Sequence, residues 1–193
     1  MNVIVTAAVI ASLVFFVTPV RNKIWGKLKP YQQNRIRAFV DPGSDPLGSG
    51  YHANQSKIAV GSGQIIGKGY RKGTQSQMAF LPERHTDFIF AVIAEETGLI
   101  GSSVLLLLYL ILLLIGADTA KNAKDRLGIL MAGGLVSMIM LYVCINVGMS
   151  VGIVPVVGVP LPLVSYGGTS IITTFLALGL LLNIQIRRFM LFY

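Results

Sequence analysis

The sequence predicts an all-α integral membrane protein: four transmembrane helices, a long outward-facing polar loop, and a Pro/Gly-rich connection of re-entrant character. Three observations predict it. The chain is 53% hydrophobic and only 12% charged, with mean hydropathy +0.69, whereas soluble domains carry about 25% charged residues. The charges are gathered into a few stretches, leaving uncharged runs of the ~20 residues a spanning helix needs. Prolines and glycines interrupt the longest run. The whole of 1–193 reads as one membrane domain, with no separate soluble domain.

The first span is predicted over residues 1–20, which carry no charged side chain and close on Phe-Phe-Val-Thr-Pro-Val. A signal peptide would instead begin basic and close on small residues. Residues 21–87 form a polar loop that opens with Arg21, Lys23, Lys27, Lys29, Arg35 and Arg37; the first four suit a helix end resting at lipid headgroups. Within the loop, 41–50 (DPGSDPLGSG) is turn chemistry, and 61–73 (GSGQIIGKGYRKG) interleaves Lys68, Arg71 and Lys72 with glycines. A structureless loop this long is uncommon and is usually functional.

The second span is predicted over 88–117. Such a helix would be ~45 Å long, more than the ~30 Å hydrocarbon core, so its first turns, with Glu95 and Glu96, belong at the interface or inside protein. A charged loop covers 118–126. Residues 127–186 then hold no charged side chain. One helix over that length would reach ~90 Å, so it divides into spans over 128–150 and 169–186. Gly152, Pro155, Gly158, Pro160, Pro162, Gly167 and Gly168 mark the connection. These residues oppose a regular helix, and irregular backbone at membrane depth is tolerated only when buried in protein or lining a cavity.

Four spans put both termini on one side. Lys121, Lys124 and Arg126 in one short loop, with Arg187 and Arg188 at the end of the last span, make that side cytoplasmic, because the opposing connection carries no basic residue. The long loop holds eleven of the sixteen basic residues, which opposes this orientation, but the rule weakens for loops beyond about 60 residues. A net charge of +8 points to lipid headgroups, phosphates or pyrophosphates as partners before nucleic acid. Cys144 is alone, so no intrachain disulfide forms. No CxxC or His/Cys cluster predicts a metal site.

The chemistry concentrates in 80–101, FLPERHTDFIFAVIAEETGLIG. Charge this dense at the mouth of a membrane helix is costly unless used or paired. Asp87 stands where the polar loop becomes the apolar helix. As a residue type in that position it reads either as an N-cap or as a general base. Lys68, Arg71, Lys72 and Arg84 read either as anion ligands among glycines that permit close backbone approach or as ordinary solvated cations. His85 could orient Asp87 or simply end a helix. Glu95 and Glu96 lie about 100° apart around a helix, so one faces inward. Glu95, near the helical face of Asp87, is preferred. Ser165 reads either as part of a cavity wall or as helix-entry chemistry.

These residues carry a resemblance. The 80–101 block, preceded by DPLGSGYHANQSKIAVGSGQIIGKGYRKGTQSQ over 45–77, resembles the SEDS family (shape, elongation, division and sporulation), closer to its rod-shape branch than to its division branch. A second block agrees: Asn146, Gly152, Pro155 and Gly158, then LVSYGGTS over 163–170, fit the family's C-terminal signature. The resemblance implies a peptidoglycan glycosyltransferase of the bacterial inner membrane that polymerises lipid II beside a class B penicillin-binding protein. It further implies a fold of about ten helices, each crossing needing its own apolar segment. The present chain resembles only the C-terminal part, so a partial product or a split protein is expected. By the resemblance Asp87 is the catalytic base; Lys68, Arg71, Lys72, Arg84, His85, Glu95 and Ser165 are the candidate substrate-binding residues beside it. No cofactor is assigned, and a divalent cation is left open. A flippase for the lipid-linked precursor and a non-catalytic packing fragment are the alternatives.

Overall fold

The computed structural model describes residues 29–40, 49–74 and 86–189. The predicted span over 1–20 lies outside them. All regular elements among the described residues are helices: α1 (Pro30–Val40), α2 (Ser49–Ser62), α3 (Ile89–Lys121), α4 (Arg126–Val151) and α5 (Gly168–Phe189). The predicted spans over 88–117, 128–150 and 169–186 correspond to α3, α4 and α5, which among the described residues are the three helices long and apolar enough to cross a membrane. The long loop differs from expectation, because two stretches of it are helical. α1 starts as its sequence dictates: Pro30 takes the first helical position, where its missing N–H costs nothing. Gln32 reaches back to accept from the Lys29 N–H at 3.0 Å, as the second half of a capping box does.

α3 and α4 form an antiparallel hairpin through a short turn. The turn is closed by Asn122, whose amide donates to the Asp118 carbonyl at 2.9 Å. Phe90, Tyr109, Ile139, Val143 and Leu181 form the apolar core between the three long helices. Leu161, from the connection after α4, is fully buried in the same cluster. A methyl group placed on Gly116 would meet Val136 at 2.6 Å; a small residue at a crossing lets membrane helices approach closely.

α3 is not continuous. Gly98 adopts φ 69°, ψ −162° inside it, and the helical hydrogen bonds from Leu99 to Glu95 and from Ile100 to Glu96 are replaced. The Leu99 N–H donates to the Gln64 carbonyl (2.9 Å) and the Ile100 N–H to Ile65 (3.2 Å). The Glu95 carbonyl accepts from Lys68 N–H (3.0 Å) and the Glu96 carbonyl from Gly69 N–H (2.9 Å). The glycine-rich loop after α2 therefore fills both gaps with its own backbone. Beyond the break, Leu99 to Lys121 is about 35 Å of helix, which matches the ~30 Å hydrocarbon core with a modest tilt.

The loop fits this gap because of its glycines. A Cβ on Gly67 would lie 2.2 Å from the Glu96 carbonyl oxygen, and one on Gly98 would lie 2.4 Å from the Gly67 nitrogen. Both positions have positive φ. Gly133, by contrast, has nothing within 4 Å of an added methyl. Gly98→Ala is expected to cost at least about 2 kcal/mol, from positive φ plus overlap with backbone, read as a lower unfolding temperature in detergent. Gly133→Ala should leave that temperature unchanged or raise it, as Ala is the better helix former.

Candidate functional site

The chain enters α3 through a turn at residues 86–88, and each residue of that turn is held by a different part of the molecule. The Ser165 hydroxyl donates to the Thr86 carbonyl at 2.6 Å and accepts the Leu161 N–H at 2.7 Å. The Asn146 amide donates both to the Asp87 carbonyl (2.9 Å) and to the Val159 carbonyl (2.7 Å). Phe88 is 2% exposed and packs with Ala59 of α2 and Ala91 of α3. The N-cap position of α3 is Phe88, which makes no side-chain cap bond. Asp87 therefore does not occupy the cap position that its sequence context allowed.

The Asp87 carboxylate lies against Gly158, where an added Cβ would stand 3.0 Å from Oδ2. Gly158 has φ 79°, a left-handed conformation that glycine adopts at no steric cost. The connection over 152–167 is irregular yet anchored throughout. Gly152, with φ 82°, ends α4 and bonds back to the Gly148 carbonyl, the usual glycine stop. The Tyr109 hydroxyl donates to the Pro162 carbonyl, and Arg35 Nη1 of α1 donates to the Val157 carbonyl at 2.7 Å. The Ser56 hydroxyl of α2 reaches the Ser150 carbonyl at 2.8 Å. Backbone that a lipid could not satisfy is thus satisfied by protein.

A second polar group lies beside the break in α3. Glu95 is fully buried, and Lys68 pairs with its Oε1 at 2.8 Å while retaining 28% exposure. Lys68 Nζ also donates to the Thr74 hydroxyl at 2.7 Å, and that hydroxyl reaches the same Glu95 oxygen at 3.2 Å. The structure thus gives Lys68 and Glu95 to each other. Arg71 and Lys72 extend outward from the same loop, with the Arg71 guanidinium 5.5 Å above the Tyr70 ring. Arg84 and His85 lie outside the described residues. Among the described residues, no group of three or more His, Cys, Asp or Glu side chains could hold a metal ion.

Ser165 stands three residues ahead of the start of α5 and ties the connection to Thr86. The sequence marks Asn146 only as part of a signature. A lone amide inside an uncharged span is the signal that could have singled it out, since such residues face the protein interior and pair there. Nothing in the sequence places Gly158 beside Asp87.

The FtsW, RodA and SpoVE cell cycle protein model matches residues 1–189. The chain belongs to this family. It is 51% identical over 98% of its length to the peptidoglycan glycosyltransferase MrdB of Escherichia coli, covering 48% of that protein. It is 44% identical over 83% of its length to the peptidoglycan glycosyltransferase RodA of Treponema pallidum, covering 37% of that protein. The chain thus spans about half the length, or less, of the curated relatives it matches. Among solved structures it resembles a chain from a peptidoglycan synthase complex that coordinates polymerization and crosslinking. That match has TM-score 0.70 and 33% identity, and covers 95% of this chain and 50% of that one. It also resembles a mutant of the Thermus thermophilus rod shape determining protein RodA, with TM-score 0.52 and 38% identity over 65% of this chain and 39% of that one. The family membership and the helical architecture agree with the SEDS resemblance read from residues 45–101 and 146–170.

Two stability outcomes follow from this geometry. Lys68→Met strands a buried Glu95 carboxylate and is expected to cost about 3 kcal/mol, while Lys68→Met with Glu95→Gln recovers most of it; a double-mutant cycle on detergent unfolding measures the coupling. Asn146→Ala removes the amide that bonds two part-buried carbonyls and should cost about 2 kcal/mol. Thr173→Ala, which removes only exposed bonds within α5, should cost less than about 0.5 kcal/mol in the same assay.

Proposed function

We propose that this chain carries the acceptor-activating part of a peptidoglycan glycosyltransferase of the bacterial inner membrane, polymerising lipid II during cell elongation. The observation that carries the reading is the Asp87 carboxylate, set over Gly158 by the bonds of Asn146 and Ser165 to its own and the preceding carbonyl. The names of the MrdB and RodA relatives support the reaction type.

In the proposed reaction Asp87 takes the proton from an acceptor sugar hydroxyl. The hydroxyl oxygen bonds to the anomeric carbon of the donor, and the bond from that carbon to pyrophosphate breaks with inversion. Undecaprenyl pyrophosphate leaves with the electron pair. A base whose turn is held by two hydrogen bonds to backbone and by the packing of Phe88 loses little orientational freedom on reaching the transition state. Arg71 and Lys72, with Arg84 and His85, are the proposed cations for the departing pyrophosphate. Lys68 and Glu95 hold the loop that carries the first two. The proposed topology places the loop over 21–87 outside and both termini in the cytoplasm, with a class B penicillin-binding protein as the partner.

Asp87→Asn keeps the shape of the side chain and removes the base. In the native membrane context with lipid II supplied, glycan product should fall by at least about 100-fold, while detergent unfolding stays near that of the wild type. Glycan of wild-type length and rate overturns the assignment. Retained polymerisation with failed translocation of precursor across vesicles would favour a flippase instead.

A further inference from the structure

The loop between α2 and α3 has an outer surface that the glycosyl-transfer reading leaves unexplained. Ile65, Ile66 and Tyr70 are 63%, 80% and 79% exposed. They do not belong to a loose segment. The backbone around them is locked into the break in α3 by four hydrogen bonds and by the Lys68–Glu95 pair. A rigid loop with three large apolar side chains turned outward is unfavourable in water, since single exposed apolar residues are ordinary but clustered ones mark an interaction surface.

The neighbouring surface says what covers it. The Ile100 N–H bonds to the Ile65 carbonyl at 3.2 Å, so Ile65 stands level with the first residues of the spanning part of α3. Leu99 and Ile100 are themselves 63% and 57% exposed, and they open the apolar surface that continues along the span through Val104, Leu107 and Leu108. The loop tip thus extends the exposed apolar surface of α3 sideways at its polar end. Just beyond the apolar residues come Arg71 and Lys72, both exposed. No acidic residue occurs between Asp45 and Glu83 along the chain, so the tip's own charged residues are all basic. Apolar side chains, a tyrosine and cations in that order match the order of acyl chain, interface and phosphate in a lipid leaflet.

We infer that residues 64–72 form a membrane-interface anchor, with Ile65, Ile66 and Tyr70 inserted at the headgroup–acyl boundary and Arg71 and Lys72 seated on the phosphates of anionic bilayer lipids. The anchor fixes the depth of the break in α3 relative to the leaflet. It shares Arg71 and Lys72 with the glycosyl-transfer reading, but the inserted apolar tip and its bulk phospholipid ligand stand apart from that reading.

The test uses fluorescence depth. Trp25 is the single tryptophan of the chain, so Trp25→Phe with Ile66→Trp places one reporter at the most exposed apolar position of the tip. The variant is reconstituted in phosphatidylcholine vesicles containing phosphatidylglycerol, without lipid II. Lipids brominated near the glycerol end of the acyl chains should quench the reporter at least about twofold more than lipids brominated near the chain ends, and aqueous iodide should quench it weakly, as expected for an interfacial side chain. Strong iodide quenching with no effect of brominated lipid overturns the anchor in favour of a solvated loop. Protection from both quenchers overturns it in favour of a protein-covered surface. Adding Arg71→Gln and Lys72→Gln should raise iodide quenching, and the same rise should appear on omitting phosphatidylglycerol; an unchanged profile in both overturns the role given to the cations.

Discussion

Backbone N–H and C=O groups that lie at membrane depth must be satisfied by protein, because lipid offers them nothing. Two parts of this chain depart from regular helix beside its spans, and both are built around that constraint. At Gly98 the helix loses two of its own hydrogen bonds and the loop at residues 64–69 supplies four groups to complete them. After α4, the connection over 152–167 is sewn to its surroundings by Asn146, Ser165, Tyr109 and Arg35. Three of these four partners are side chains within or beside the membrane-spanning helices, where polar residues are rare and costly unless paired. The irregular segments and the buried polar residues therefore explain each other.

The same bonds that satisfy the backbone shape the candidate site. Asn146 cannot satisfy Val159 without also gripping Asp87, since one amide group serves both carbonyls. Ser165 likewise closes the turn at Leu161 and holds Thr86. Stability and positioning are thus carried by the same atoms. The second polar group, Lys68 with Glu95, is of a different kind. Its charge is internally balanced, and its effect is to keep the loop in the break.

Much of the fold was legible in the sequence because the bilayer imposes a length and a polarity on each span. The uncharged runs over 97–117 and 127–186 and the proline and glycine positions that divide the second run located α3, α4 and α5 within a few residues. The break in α3 was not legible. Gly98 is one glycine in a good helical context, and only the partner loop, some thirty residues earlier, gives it a reason to leave the helix. For the site, Asp87 stood out by its place at a helix mouth, and Glu95 by the charge it carried into an apolar stretch. The role of Asn146 was hidden because its two acceptors are backbone carbonyls, which leave no mark in residue type. The pairing of Lys68 with Glu95 was hidden for the reason that a cation among glycines looks the same whether it meets a ligand or a neighbour.

The bonds around Thr86 and Asp87 reach far along the chain, to Asn146 across 59 residues and to Ser165 across 79. Membrane helices enter the bilayer in the order of their synthesis. When the ribosome has finished α3, residues 86–88 have been made, but the amide of Asn146 and the hydroxyl of Ser165 that bond to this turn have not. It gains the first with α4 and the second only as the segment leading into α5 emerges. The aspartate is therefore made early and gains these two long-range bonds late, so a chain still being inserted carries the residue without them.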